Sequence, residues 1–171
     1  EVKRSEFCAD AIEFDPFVGL TTTAVYSHAT VYIYVAREGG HVALKTAVGC
    51  IQGDPIGMLG FCLSYKKPND WAVNALKAAA AGKTELPAIS PPPPQHITEG
   101  LQAWLKENTL RKPPANQKVI ERQFADNAVF GICPELADSL PSLAKMCLEE
   151  KGLQYKKSWD VWSQRSTQFS N

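Results

Sequence analysis

The chain has 171 residues, 44% hydrophobic and 21% charged, and its 18 basic residues balance 18 acidic ones. That length fits one domain, and without a surplus of Lys and Arg neither nucleic acid nor an anionic membrane surface is an expected partner. No run approaches 18 consecutive apolar residues, so no transmembrane segment is expected.

Along the chain, Ser5 to Glu13 reads as a short helix with Ser5 as N-cap, and Asp15-Pro16 stops it because the residue before proline is pushed out of helical geometry. Ala29 to Val35 is the strongest strand signal, with Val31, Ile33 and Val35 alternating with Thr30, Tyr32 and Tyr34. Arg37-Glu38-Gly39-Gly40 supplies a turn, and His41 to Val48 returns as a second strand; three- and four-residue spacing of Ala24, His28, Val31, Tyr32 and Val35 is the rival, helical pattern. From Cys50 to Gly60 the glycines and Asp54-Pro55 read as loop, Leu59 to Tyr65 as buried, and Lys66 to Asp70 as a turn. Asp70 is expected to cap an alanine-rich helix over Trp71 to Ala81, closed by Gly82. The stretch from Pro87 to Pro94 is expected to be an extended, stiff spacer.

Thr98 is expected to cap a helix with Ile97, Leu101, Trp104 and Leu105 on one stripe, ending near Asn108. After Pro113-Pro114 a further helix is expected, lined by Ile120, Phe124 and Ala128 and stopped by Gly131. Ser139 caps a third, with Leu140, Leu143, Met146 and Cys147 inward and Gly152 at its end. The polar tail holds Tyr155, Trp159 and Trp162, large aromatics that either anchor a binding surface or fold back on the core.

Five cysteines, Cys8, Cys50, Cys62, Cys133 and Cys147, are scattered without CxxC, CxxH or HxxxH spacing, so no metal or other cofactor is expected. They read as candidates for long-range disulfides of unassigned pairing, with at least one thiol left over in a monomer; five buried thiols are the alternative. The chain starts at Glu1 and has no Met before Met58, which fits removal of a signal peptide and a periplasmic or secreted location. A catalytic Cys–His pair would draw on Cys50 or Cys8 with His28 or His41, but it needs adjacency and a lowered thiol pKa that no local motif announces. There is no glycine-flanked serine elbow, HExxH or phosphate-binding loop.

Two stretches resemble known families. Gln52-Gly53-Asp54-Pro55-Ile56-Gly57-Met58-Leu59-Gly60-Phe61 is similar to the QGDPLG-type segment of retroelement reverse transcriptases, although the paired aspartates of a YxDD-like sequence, needed for two-metal chemistry, are missing from the chain. The run from His96-Ile97-Thr98-Glu99-Gly100-Leu101 through Trp104-Leu105 and Arg111-Lys112-Pro113-Pro114-Ala115 to Phe130-Gly131-Ile132-Cys133-Pro134 resembles the second half of periplasmic immunity proteins that act against type VI secretion peptidoglycan amidases. Upstream, Gly60-Phe61-Cys62-Leu63-Ser64-Tyr65 and Cys8 extend the likeness, so that it covers about residues 60–134. It implies a mostly helical, disulfide-bonded, dimeric periplasmic inhibitor that plugs an amidase cleft, and a helix leading into Cys133. The chain has the proline run where that family carries a cysteine before the first of these helices.

The expected fold is therefore mainly α: a compact helical single domain over 1–171 with a β-hairpin at 29–48, α+β being the alternative. The proline-rich spacer 87–94 divides an N-terminal block (1–86) from a helical C-terminal block (95–171). The expected function is non-catalytic: a protein-binding inhibitor or immunity protein that sterically occludes a partner such as a bacterial effector enzyme, with a homodimer compatible. A small secreted hydrolase with a Cys–His pair and a structural or adhesive envelope protein are the alternatives.

Overall fold

The computed structural model describes residues 3–49, 54–113, 118–124 and 127–153. The fold is mainly helical with two small antiparallel hairpins, in the order α1 (Arg4–Phe14), α2 (Pro16–Tyr26), β1 (Thr30–Val35), β2 (His41–Thr46), α3 (Pro55–Ala80), α4 (Gln95–Asn108), β3 (Ile120–Phe124), β4 (Asn127–Gly131), α5 (Pro134–Ala137) and α6 (Leu140–Glu150). No described helix is long and apolar enough to cross a membrane. The described residues fall into two compact units, one of residues 3–66 with 151–153 and one of 67–150. The division lies within α3, at Lys66/Lys67, and not at the proline stretch.

In the first unit α1 and α2 form a tight helical hairpin. Asp15 both ends α1 and starts α2: its Oδ1 accepts from the N–H of Phe17 and of Val18, both at 2.9 Å, while Pro16 occupies the first turn, where its missing N–H costs nothing. In sequence Asp15-Pro16 reads only as a stop; the structure adds α2 beyond it. Gly19 lets the helices touch, since a Cβ there would stand 2.5 Å from the Cα of Ile12. The hairpin β1–β2 has the expected strands, with Thr30 opposite Thr46 and Val35 opposite His41. Its turn is a three-residue loop: Ala36 N–H donates to Gly40 O at 2.7 Å, Gly39 N–H donates to Ala36 O at 3.1 Å, and Gly39 takes φ +85°, the left-handed position of a bulged turn. A small core of Phe7, Cys8 and Tyr26, with Ile56 against it, holds the unit; the rings of Phe7 and Tyr26 meet edge to face at 5.3 Å.

The second unit has the larger core. In α3 the residues Trp71, Ala72, Ala75, Leu76 and Ala79 recur at three- and four-residue spacing and are all buried. The turn expected over Lys66 to Asp70, with Asp70 as N-cap, is corrected: α3 runs through it and contains Pro68. A proline inside a helix deletes one rung of the ladder; here Pro68 is fully buried and the helix continues on either side of it. The loop expected from Cys50 to Gly60 is corrected in the same way from Pro55 onward, where the helix already begins. The end of α3 follows expectation. Lys83 N–H reaches Ala78 O and Gly82 N–H reaches Ala79 O, the paired bonds of a glycine-terminated helix.

Helix α4 buries the expected stripe, Ile97, Leu101, Trp104 and Leu105. Thr98 is not its N-cap: the helix begins at Gln95, and the Thr98 hydroxyl donates back to Pro94 O at 3.1 Å. Packing of Leu140, Leu143 and Cys147 from α6 and Leu136 from α5 completes the core, in which each fully buried leucine is worth about 1.5–3 kcal/mol. Met146, expected inward, is half-buried and packs against this core. The proline stretch is packed in this unit: Leu86 and Ile89 lie against its core, and Trp71 Nε1–H donates to Pro91 O at 3.4 Å. The stretch is also tied at its front, where the Gln102 side-chain amide accepts from Leu86 N–H at 3.1 Å and donates to Thr84 O.

The helix expected through Ile120, Phe124 and Ala128 is corrected to the hairpin β3–β4, with Glu121 opposite Phe130 and Arg122 opposite Val129. Val119, Phe130 and Ile132 pack inward while Ile120 and Val129 stay exposed, a two-residue alternation that the four-residue spacing of Ile120, Phe124 and Ala128 concealed. The immunity-protein resemblance implies a helix here; the chain has two strands.

Candidate functional site: an apolar surface on the first unit

Nearly all the large apolar side chains that the described residues leave in water belong to the first unit. Helix α2 carries no charged residue, and Phe17, Leu20, Ala24 and Val25 stand outward at three- and four-residue spacing, with Phe17 77% and Leu20 71% exposed. Phe14, at the end of α1, adds a second exposed ring. Such a stripe is the pattern of a core-facing helix side, here turned to solvent. On the hairpin, Val31, Ile33 and Val35 form one face of β1 and are more than half exposed, as are Val42 and Leu44 of β2.

Local chemistry holds these elements in place. Arg4 is buried, and its guanidinium donates from Nε to Gly49 O at 3.2 Å and from Nη1 to His28 O at 2.8 Å and Thr30 Oγ1 at 2.9 Å. The same group lies 5.2 Å from the centre of the Tyr26 ring, so one cation fixes the start of α1 to the start of β1 and to the end of α2. Tyr26 Oη donates to Asp54 Oδ2, and Asp54 Oδ1 accepts from Ile56 N–H at 2.8 Å, tying α2 to the first turn of α3. On the same unit Lys151 Nζ lies 3.7 Å from Glu6 Oε2 and 3.9 Å from Asp10 Oδ2. The surface is therefore carried on a fixed frame, which lowers the ordering cost of docking.

None of the described residues singled out from sequence lies on the exposed stripe of α2. Tyr155, Trp159 and Trp162 lie outside the described residues, as does Cys50. Cys8 sits in the small core of the first unit, Cys62 is half-buried on α3, and Cys133 and Cys147 are buried in the second unit; these four are free thiols. Burial pushes the Cys147 thiol up to about 12, and burial, chiefly, also raises Cys133, so neither supplies a thiolate nucleophile near neutral pH. Of the histidines, His28 lends its carbonyl to Arg4, His41 opens β2 opposite Val35, and His96 meets Glu150 at 2.7 Å within the second unit. Among the described residues no three His, Cys, Asp or Glu side chains gather as a metal site.

No element is expected over 16–28, so the α2 surface is a finding of the structure. The signal was present: an Asp-Pro cap, then Phe17, Leu20, Ala24 and Val25 in helical phase with no charge between them. Set against family models, curated proteins and solved structures, the chain matches none.

Proposed function

We propose that this chain works by binding another protein through the outward face of α2, blocking its partner sterically and making or breaking no bond. One observation carries the reading: an uncharged helix presents Phe17 (77% exposed) and Leu20 (71%) to water on a frame locked by Asp15, Gly19 and Arg4. A helix that lays an apolar stripe into a groove is a recurrent way of recognising a protein, and aromatic and large aliphatic anchors supply most of the energy. The class of partner implied by the sequence resemblance is a peptidoglycan amidase effector, with the chain acting as its immunity protein in the cell envelope. A thiol count on native protein bears on that location: five free thiols speak against an oxidising compartment.

The test is site-specific photo-crosslinking in the source cells, with the probe at position 20 and a control probe at exposed Lys106 of the second unit. A discrete adduct with a second protein from position 20 and none from the control is the expected result. Adducts only with lipid, only with the chain itself, or equally from both positions would sink the reading. A purified peptidoglycan amidase titrated with the chain then tests the narrower assignment: undiminished lysis of peptidoglycan sacculi at stoichiometric excess removes it.

A second reading draws on Gln52–Phe61, whose likeness to reverse transcriptases runs directly into the start of α3 at Pro55. In it, the apolar surface is where other parts of a polymerase palm pack. Mass spectrometry of the position-20 adduct separates the two, because the joined polypeptide is then a reverse-transcriptase segment and not an effector.

A further inference from the structure

We infer that two copies of this chain pair along the outer edge of β1, joining their hairpins into one four-stranded antiparallel sheet. The inference starts from the direction of the backbone groups. Ala36 N–H donates to Gly40 O, so these two residues form a hydrogen-bonded pair. Antiparallel ladders alternate such pairs with non-bonded ones, and the register then makes Tyr34–Val42, Tyr32–Leu44 and Thr30–Thr46 the remaining bonded pairs. The N–H and C=O groups of Val31, Ile33 and Val35 therefore point away from β2, along an edge where no further strand lies among the described residues.

Among the described residues that edge has none of the usual protections. Sheet edges that stay single are blunted by lysine, proline, bulges or cover. Thr30 to Val35 contains no charge and no proline, whereas β2 carries His41 and Lys45, and beyond its end Val48 is bridged by Lys3. A two-stranded hairpin is also marginal on its own, and a third strand is what normally stabilises it. Exposure agrees: Ile33 is 65% and Val35 76% exposed, an unusual state for β-branched side chains on a strand.

The occupant follows from self-complementarity. A two-fold axis normal to the sheet sets odd residues against odd and even against even. Centred on Ile33, it puts Ile33 against Ile33 and Val31 against Val35 on one face, and Tyr32 against Tyr34 on the other. Every cross-strand pair is then apolar with apolar or ring with ring, the pairings that stabilise sheets, and the outward N–H and C=O groups of Val31, Ile33 and Val35 all find partners. Centring on Tyr32 or Tyr34 instead leaves Val35 opposite Ala29 or Val31 opposite Arg37, with fewer matched pairs. A chain whose acidic and basic residues balance adds no net repulsion between copies.

The experiment reads mass by sedimentation equilibrium across a dilution series of the full chain, for the parent and for Ile33→Lys and Ile33→Glu. The parent is expected to approach twice the chain mass on concentration. Each variant alone sets two like charges face to face on the axis and is expected to remain single, while an equimolar mixture of the two regains the double mass. That recovery distinguishes an interface from a damaged fold, since two misfolded chains do not repair each other. A parent that stays single at every concentration overturns the proposal, and so do variants that still double alone or a mixture that stays single. Hydrogen exchange gives a second reading: the amides of Val31, Ile33 and Val35 become protected as concentration rises, and protection confined to Tyr32 and Tyr34 at all concentrations overturns it. Neither result depends on the α2 reading, whose adduct is with a different protein at position 20.

Discussion

The two units treat apolar side chains in opposite ways. In the second, Leu76, Leu101, Leu105 and Leu143 are almost wholly withdrawn from water, and Ile120 and Val129 are the large apolar side chains most clearly left outside. In the first, Phe14, Phe17, Leu20, Ile33 and Val35 stay outside while Phe7, Cys8 and Tyr26 make a core of a few residues. Composition therefore does not decide burial. The second unit has helices enough to enclose its apolar stripes, whereas the first has a helical hairpin and a two-stranded ribbon that enclose little, so its polar clamps do much of the holding. A unit built that way presents apolar surface to whatever docks on it.

The comparison can be tested by perturbing each side in turn. Trp104→Ala should cost most, about 3–5 kcal/mol in urea unfolding, because it empties a buried site in the larger core and removes the indole N–H that donates to Ser139 O. A loss within error would mean that the second unit does not depend on its core. Gly19→Ala should follow, at about 1–3 kcal/mol, since the new methyl meets the backbone of Ile12 and not a movable side-chain tip. Gly100→Ala makes the contrasting control, because its methyl meets the flexible side chain of Met146, with Sδ nearest at 2.5 Å, which can swing aside. Asp15→Ala removes the cap of α2 and should cost about 1 kcal/mol, with circular dichroism showing lost helix in the first unit. Leu20→Asp should change stability by less than about 0.5 kcal/mol, because the side chain has little burial to lose. A loss as large as that of Gly19→Ala would show that this face is covered within the monomer, and would remove the basis of the docking surface.

What could be read in advance followed the strength of local signals. Ile97, Leu101, Trp104 and Leu105 are inward because a three- and four-residue repeat over 14 residues leaves one solution. The strand Thr30–Val35 and its turn followed from β-branched alternation before Glu38-Gly39. The errors came where tertiary packing overruled a local rule. Pro68 and Gly57 look like breakers, yet α3 runs through both, with Pro68 itself fully buried. Ile120, Phe124 and Ala128 happen to fall four apart, and the chain instead packs the half-buried Val119, Phe130 and Ile132 against the core by alternation. The α2 surface was legible in principle, but an exposed apolar stripe has the same sequence pattern as a buried one. Only accessibility separates them.

The side chain of Gln102 has a consequence of its own. By accepting from Leu86 and donating to Thr84, one amide imitates a stretch of neighbouring backbone and leashes the leading end of the proline segment to α4. The leash has polarity. Conversion to glutamate keeps the shape and the acceptor but turns the donor end into a second acceptor facing a carbonyl. A Gln102→Glu substitution would therefore loosen the front of the proline segment while leaving the side chain's size unchanged.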